Sequence, residues 1–265
     1  MTDRRTTPNP AWVDSSAPAQ IGVTLTDLLD APNGMRDRQL IYGDPITVLG
    51  ARDGHSYVRS DKDGYIGFVQ TTALANATRP THRIITRTSH AYARADMKSP
   101  DHVTLSYGSR LTALSETPKF IETVAGFVPR QHLTPEGHWH EDPAAVAEIF
   151  LGTPYLWGGN SGTGIDCSGL VQAACLACNI DCGGDSDQQA RTLGSALPEG
   201  TVPRRNDLFF WKGHVALVFD SETLIHANAH HMTTAFEPIK TALARIAKSD
   251  GPRTAHKRLK LHLAK

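Results

Sequence analysis

The sequence predicts a multidomain chain in which two small all-β modules, each suited to a small barrel, precede an α+β domain. Two stretches of about 50 residues repeat one order of short apolar runs, which implies two copies of one module. A linker with Pro135, Gly137 and Pro143 follows, and beyond it the periodicity becomes helical and then returns to strand type. At 265 residues the chain has room for roughly two domains of about 150 residues, or more if they are small. A chain of that length needs no disulfide or metal staple.

Each element follows from local pattern. Residues 1–20, rich in Pro, Thr, Ser and Ala without periodicity, read as a flexible N-terminal arm. The first module, 21–76, sets QLIYG, ITVLG, SYVRS and YIGFV between the turn pieces PNG, RDG and DKDG. In the second, 80–135, Tyr107-Gly108 echoes Tyr42-Gly43, LTALS echoes ITVLG, and Ala125-Gly126-Phe127-Val128 echoes Ile66-Gly67-Phe68-Val69. The third domain spans 140–265. Its PAAVAEIFLG segment, 143–152, has Pro at its start and Gly at its end, as a helix prefers. From Ser168 to Cys178, the positions Val171, Ala174, Cys175 and Cys178 share one helical face. DLFFW, HVALVF and TLIHAN read as strands, about 238–247 as a short amphipathic helix, and the last ten residues as a loose basic tail.

Composition excludes several partners. With 27 Lys+Arg against 27 Asp+Glu there is no general attraction to nucleic acid or to an anionic membrane. No stretch approaches the 18 or so apolar residues of a membrane span. The first twenty residues lack the apolar run of about seven or more that a secretory signal carries, so a cytoplasmic location is expected. Cys167, Cys175, Cys178 and Cys182 sit close together rather than spread as a disulfide framework, so reduced thiols are expected.

Cys167 follows a Gly-rich loop and opens a helix, where unpaired N–H groups and the helix dipole favour a thiolate; a buried structural thiol is the plain alternative. Cys175, Cys178 and Cys182 fall at helical spacing, which suits small packed residues better than a zinc site. A nucleophilic Cys needs a base, and His214 and His226 lie in consecutive strands. A three-residue loop at 220–222 would pair Ala216 with His226 and put both rings on one face, whereas a two-residue loop would separate them.

The run TPYLWGGNSGTGIDCSGLVQ, with DSDQQ, NDLFFWKGHVALV and LIHAN after it, resembles the catalytic domain of the NlpC family of papain-like cysteine peptidases over about residues 143–250. The upstream modules, through their repeat and DGYIGFV, resemble bacterial SH3-like domains. The resemblance implies two SH3-like barrels followed by a papain-like α+β domain. It makes Cys167 the nucleophile, His214 the general base, His226 the third member and Tyr155, with the Cys167 N–H, the oxyanion donor. Asn228, His230 and His231 are rivals of His226, and Tyr155 could equally pack as a core aromatic.

Family members with such modules resemble cytoplasmic γ-D-glutamyl-L-diamino acid endopeptidases, which act on released murein peptides with a free L-Ala. The diamino acid, meso-diaminopimelate or L-Lys, and the oligomeric state stay open, and no cofactor is expected. In those enzymes the amine is held by residues that correspond here to Asp166, Ser186 and Tyr65, with Tyr57 a rival for the last. Asp166 could instead cap its helix, and Ser186 could cap its own with Gln189 completing the box. Gly184 and Asn206 stand where the family often has Arg and Gly. The alternatives are an exported endopeptidase of intact peptidoglycan and a wall-binding protein with an inactive domain.

Overall fold

The computed structural model describes residues 2–261 and divides into two compact units, Met1–His138 and Trp139–Lys265. In the first, an antiparallel sheet runs in the order Arg36–Ile41, Leu25–Leu29, Ile66–Gln70, His55–Ser60, Pro45–Arg52, Ala17–Ile21, Leu74–Asn76. Ile21, Leu28, Leu40, Ile46, Val58, Tyr65 and Val69 close over one another as its core. A second group of strands from His82 to Pro135 encloses Ile84, Ala91, Leu105, Leu111, Ile121, Val128 and Leu133.

The internal echo is visible in the elements. Ile66–Gln70 leads through a 3₁₀ turn, Thr71–Ala73, into Leu74–Asn76, and Gly126–Pro129 leads through Arg130–His132 into Leu133–Pro135. The repeated Tyr-Gly also has a structural cause. Tyr42 and Tyr107 are buried while Gly43 and Gly108 turn left-handed at φ 77° and 83°. That region suits glycine, and a Cβ on Gly43 would in addition collide with the Arg110 carbonyl.

The N-terminal segment departs from the expected flexible arm. Ala17–Ile21 is a strand between Pro45–Arg52 and Leu74–Asn76. Ahead of it, Trp12 packs edge-on against Tyr57 and Phe68 with ring centroids 5.4 and 5.0 Å apart. Composition suggested disorder because one aromatic in a polar stretch carries no periodicity, yet its contact with two buried rings anchors the segment.

The second unit is helices first and sheet second. Pro143 opens α1 (Pro143–Glu148), capped by Asp142, whose carboxylate accepts the Ala144 N–H. The helix is shorter than expected, and Gly152 at φ 80° marks the end of the following turn. It is followed by α2 (Cys167–Ala177), α3 (Ser186–Thr192) and α4 (Ile239–Ser249). A six-stranded sheet has the order Ser195–Ala196, Ala255–Arg258, Asp207–Trp211, His214–Val218, Thr223–Asn228, Thr233–Pro238. Phe209, Trp211, Ala216, Val218 and Leu224 pack beneath Ile239, Ala242 and Ile246 of α4.

Three of these strands were not expected, the two-residue Ser195–Ala196 among them. Thr233–Pro238 lacks strict apolar alternation, and Ala255–Arg258 falls at the start of what reads as a loose basic tail. The tail strand is held by charge. Buried Asp207 accepts from Arg258 Nε at 2.7 Å, Arg258 Nη2 at 2.8 Å and His256 Nε2 at 2.8 Å. Residues 262–265 of that tail lie outside the described residues. Among the described residues no helix is long and apolar enough to cross a membrane.

Candidate active site

Asp166 sets the start of α2. Its Oδ1 accepts the Gly169 N–H at 2.7 Å and the Ser168 hydroxyl at 2.9 Å, and its Oδ2 accepts the Gly158 N–H at 3.0 Å. The helix-capping reading of Asp166 is therefore its observed geometry. The Gly-Gly loop can approach because neither glycine carries a side chain: a Cβ on Gly169 would press against the Gly159 carbonyl. Cys167, the first helical residue, is 6% exposed.

The Cys167 sulfur meets the N–H groups of Val215, Ser168 and its own residue, all of which favour a thiolate. Burial and the neighbouring Asp166 charge oppose them and push the thiol up to about 12. A helix start alone suggested a lowered value; sequence gives no measure of how deeply the sulfur is buried. An isolated thiolate is thus disfavoured here, and one formed together with a facing cation is not.

The group that can take the thiol proton comes from a hairpin. The hairpin pairs Leu217 with Ile225 and Val218 with Leu224, the register that places His214 and His226 on one face. His214 Nε2 lies 2.9 Å from His226 Nδ1, His226 Nε2 lies 3.0 Å from Glu237 Oε2, and Arg245 of α4 grips both Glu237 oxygens at 2.9 and 2.7 Å. Val215, whose N–H meets the sulfur, directly follows His214, so the strand brings thiol and imidazole to the same place. Burial lowers the His214 imidazole to about 3, helped by the charges of His226 and Arg245 and opposed by Glu237. Burial also lowers His226, against its bond to Glu237. Burial raises the Glu237 carboxyl, but Arg245 and His226 outweigh it and keep it ionised.

Tyr155 joins the same cluster. Burial pushes its phenol up, and the charges of Cys167 and Asp166 add to that, so the phenol keeps its proton and remains a donor. Its backbone is fixed by an N–H bond to the Met232 carbonyl at 2.9 Å and a parallel bridge to Ile165. The rivals of His226 are occupied elsewhere: Asn228 Oδ1 accepts the His231 N–H and meets His231 Nδ1 at 3.0 Å, while His230 is exposed. His226, His231 and Glu237 offer ligand atoms within 4.8 Å of one another, but a cation there would face Arg245 and break the bond between His226 and Glu237. Cys175, Cys178 and Cys182 are buried and form no disulfide.

Ser186 is the first residue of α3 rather than its cap. Asp185 holds the cap position, with Gln188 closing the box through its Oε1 to the Asp185 N–H at 3.2 Å. Gln189 instead donates to the Ser168 carbonyl at 2.8 Å, which ties α3 to the start of α2. Tyr65 is buried in the core of the first module with the Arg38 guanidinium 5.7 Å from its ring centre, and the Tyr57 hydroxyl accepts the Asn9 N–H. Asn206 is left-handed at φ 71°, the conformation a glycine would supply, and its Oδ1 also accepts the Ala144 N–H at 2.8 Å. Glu237 and Arg245 escaped the sequence reading; the signal available was an acidic residue eleven positions beyond His226 and an Arg eight beyond that.

Comparison with known proteins places this geometry. The model of the bacterial dipeptidyl-peptidase SH3 domain matches residues 28–74, and that of the NlpC/P60 family matches residues 152–245. The chain is 29% identical to dipeptidyl-peptidase 6 of Lysinibacillus sphaericus over 72% of this chain and 79% of that one. It is 28% identical to the γ-D-glutamyl-L-lysine dipeptidyl-peptidase of Bacillus subtilis (strain 168), over 71% of each. The solved structure of an NlpC/P60 family protein from Bacillus cereus ATCC 10987 shares the fold, with a TM-score of 0.78, 20% identity, and coverage of 92% of this chain and 99% of that one. A thiol at a helix start beside a strand-borne imidazole pair, in a segment that the family model spans, identifies the second unit as an NlpC/P60 domain, which follows a bacterial SH3 domain.

Proposed function

We propose that this chain is a cysteine peptidase that hydrolyses the bond between γ-D-Glu and a diamino acid in released murein peptides with a free N-terminal L-Ala. The observation that carries it is the buried line from Cys167 through His214 and His226, at 2.9 Å between the imidazoles. The relative named as a γ-D-glutamyl-L-lysine dipeptidyl-peptidase supports the substrate class. In this reading both β modules are SH3-like and the third domain is papain-like.

Cys167 passes its proton to His214 as the sulfur adds to the γ-D-Glu carbonyl. The Cys167 N–H and the Tyr155 phenol receive the oxyanion. The imidazolium returns the proton to the departing amine, and water then hydrolyses the thioester with His214 as base. Asp166 and Ser186 hold the L-Ala ammonium: the Asp166 carboxylate is fixed by three donors beside the reacting sulfur, and a cation offsets the cost of burying that charge. Intact wall strands, whose L-Ala is acylated, bring no ammonium to this carboxylate and are rejected. A substrate of this kind belongs to recycling of wall fragments, with the enzyme in the cytoplasm.

Mass spectrometry of L-Ala-γ-D-Glu-diaminopimelate and its L-Lys counterpart, each with and without N-acetylation, tests this. Wild type cleaves only the free peptides and Cys167→Ala cleaves none. Equal cleavage of acetylated peptide refutes the ammonium pocket, release of fragments from whole sacculi favours an exported wall hydrolase, and no turnover of either favours a binding protein.

A further inference from the structure

We propose that Glu237, clamped by Arg245, is a positioning residue for the cysteine–histidine pair: it dictates which nitrogen of each imidazole carries the proton and steadies the charge that His214 acquires. The inference rests on the peptidase reading above and extends it by one carboxylate and one guanidinium.

The hydrogen bonds fix the proton positions in sequence. Both Glu237 oxygens are held by Arg245, so the carboxylate is ionised and can only accept; the His226 nitrogen facing it, Nε2, therefore carries hydrogen. In a neutral ring that leaves Nδ1 as an acceptor, so it takes the Nε2–H of His214 at 2.9 Å. His214 is left with a lone pair on Nδ1, the nitrogen not engaged by His226, and this is the atom that can take the proton from the Cys167 sulfur. The reverse chain would set a lone pair of His226 against the carboxylate, which is repulsive.

When the proton moves from sulfur to His214 Nδ1, one thiolate and one imidazolium appear and no proton is lost. The new cation then donates to His226, whose far side already faces an anion. The charged and titratable groups that act on His214 are His226 and Arg245, which oppose the cation, and Glu237, which favours it; His231 faces His226, and Asp166 faces the sulfur. Arg245 does not cancel the effect. Its bidentate grip keeps the carboxylate in place and ionised, which a mobile glutamate beside a buried imidazole would not be.

Three measurements test this. Nitrogen-15 NMR of the histidines in wild type reads the tautomers directly; both His214 and His226 should carry hydrogen on Nε2 at pH 7.5, and hydrogen on Nδ1 of either overturns the proposal. Alkylation of Cys167 by iodoacetamide, followed by peptide mapping against pH, reads the ion pair without any murein substrate. In Glu237→Gln the rate at pH 7 should fall about 10- to 100-fold and kcat similarly, with KM within about threefold, as for other supporting groups behind a reactive ring. Melting of each variant separates this from unfolding. If Glu237→Gln does not fold, Arg245→Met should show the same slowing in lesser degree, with Arg245→Lys restoring it. A folded Glu237→Gln, or failing that a folded Arg245→Met, with a wild-type alkylation profile overturns the proposal. If wild type cleaves no murein peptide while the tautomers and alkylation behave as stated, the substrate reading fails and this one stands.

Discussion

His214→Ala should lower kcat/KM on the free peptide by about 10⁴-fold or more, the scale seen when the base of a nucleophile–base unit is removed. The cause is the burial of the sulfur. With its thiol pushed up to about 12, Cys167 has very little thiolate at pH 7 unless a base takes its proton as it attacks. The variant should therefore also alkylate at least about 100-fold more slowly than wild type at pH 7, and its rate should keep climbing at alkaline pH. The second readout matters because it needs no substrate. An unimpaired alkylation rate in folded His214→Ala shows that the sulfur ionises without the imidazole, and the catalytic pair is then wrongly assigned.

The parts of the site legible in the sequence are those set by local backbone rules. Asp166 and Cys167 at the opening of an apolar helical face specify a capped helix, and that helix forms as Cys167–Ala177 with Asp166 as its cap. His214 and His226 fall on one face through hairpin register, and of the two loop lengths that the sequence left open the three-residue one at 220–222 forms. What stayed hidden was held by contacts between distant segments. Glu237 lies in a strand whose TTAFEP pattern alternates too weakly to announce itself, and its partner Arg245 sits on the polar side of a surface helix. The start of the basic tail is a strand because Arg258 and His256 reach an aspartate some fifty positions earlier. Trp12 orders a polar arm by meeting rings that fold far from it in sequence. Depth of burial was equally invisible, and it reverses the expected direction of the Cys167 shift.

Asp207→Ala should destabilise the second unit by about 3–5 kcal/mol, the usual cost of removing one partner from a buried ionic group. Asp207 is fully buried and accepts from the Arg204 N–H as well as from Arg258 and His256, so its loss leaves a guanidinium and a buried imidazole without their acceptor. The deficit should depend on pH in a direction fixed by the site. Burial raises the Asp207 carboxyl, but Arg258 and His256 outweigh it and hold it below its ordinary value. A carboxylate lowered on folding contributes stability that is present above about pH 4 and is lost as pH falls through its folded value. His256 is lowered by burial in spite of Asp207, as are His214 and His226, so wild type itself weakens from about pH 6.5 downward as these rings are driven to protonate. Urea unfolding followed by tryptophan fluorescence, which Trp211 within this core reports, should show the gap between wild type and Asp207→Ala wide at pH 7 and narrowing below pH 4. A gap under about 1 kcal/mol at pH 7, or one that stays constant into acid, means that apolar contacts and not the buried carboxylate hold the last strand in the sheet.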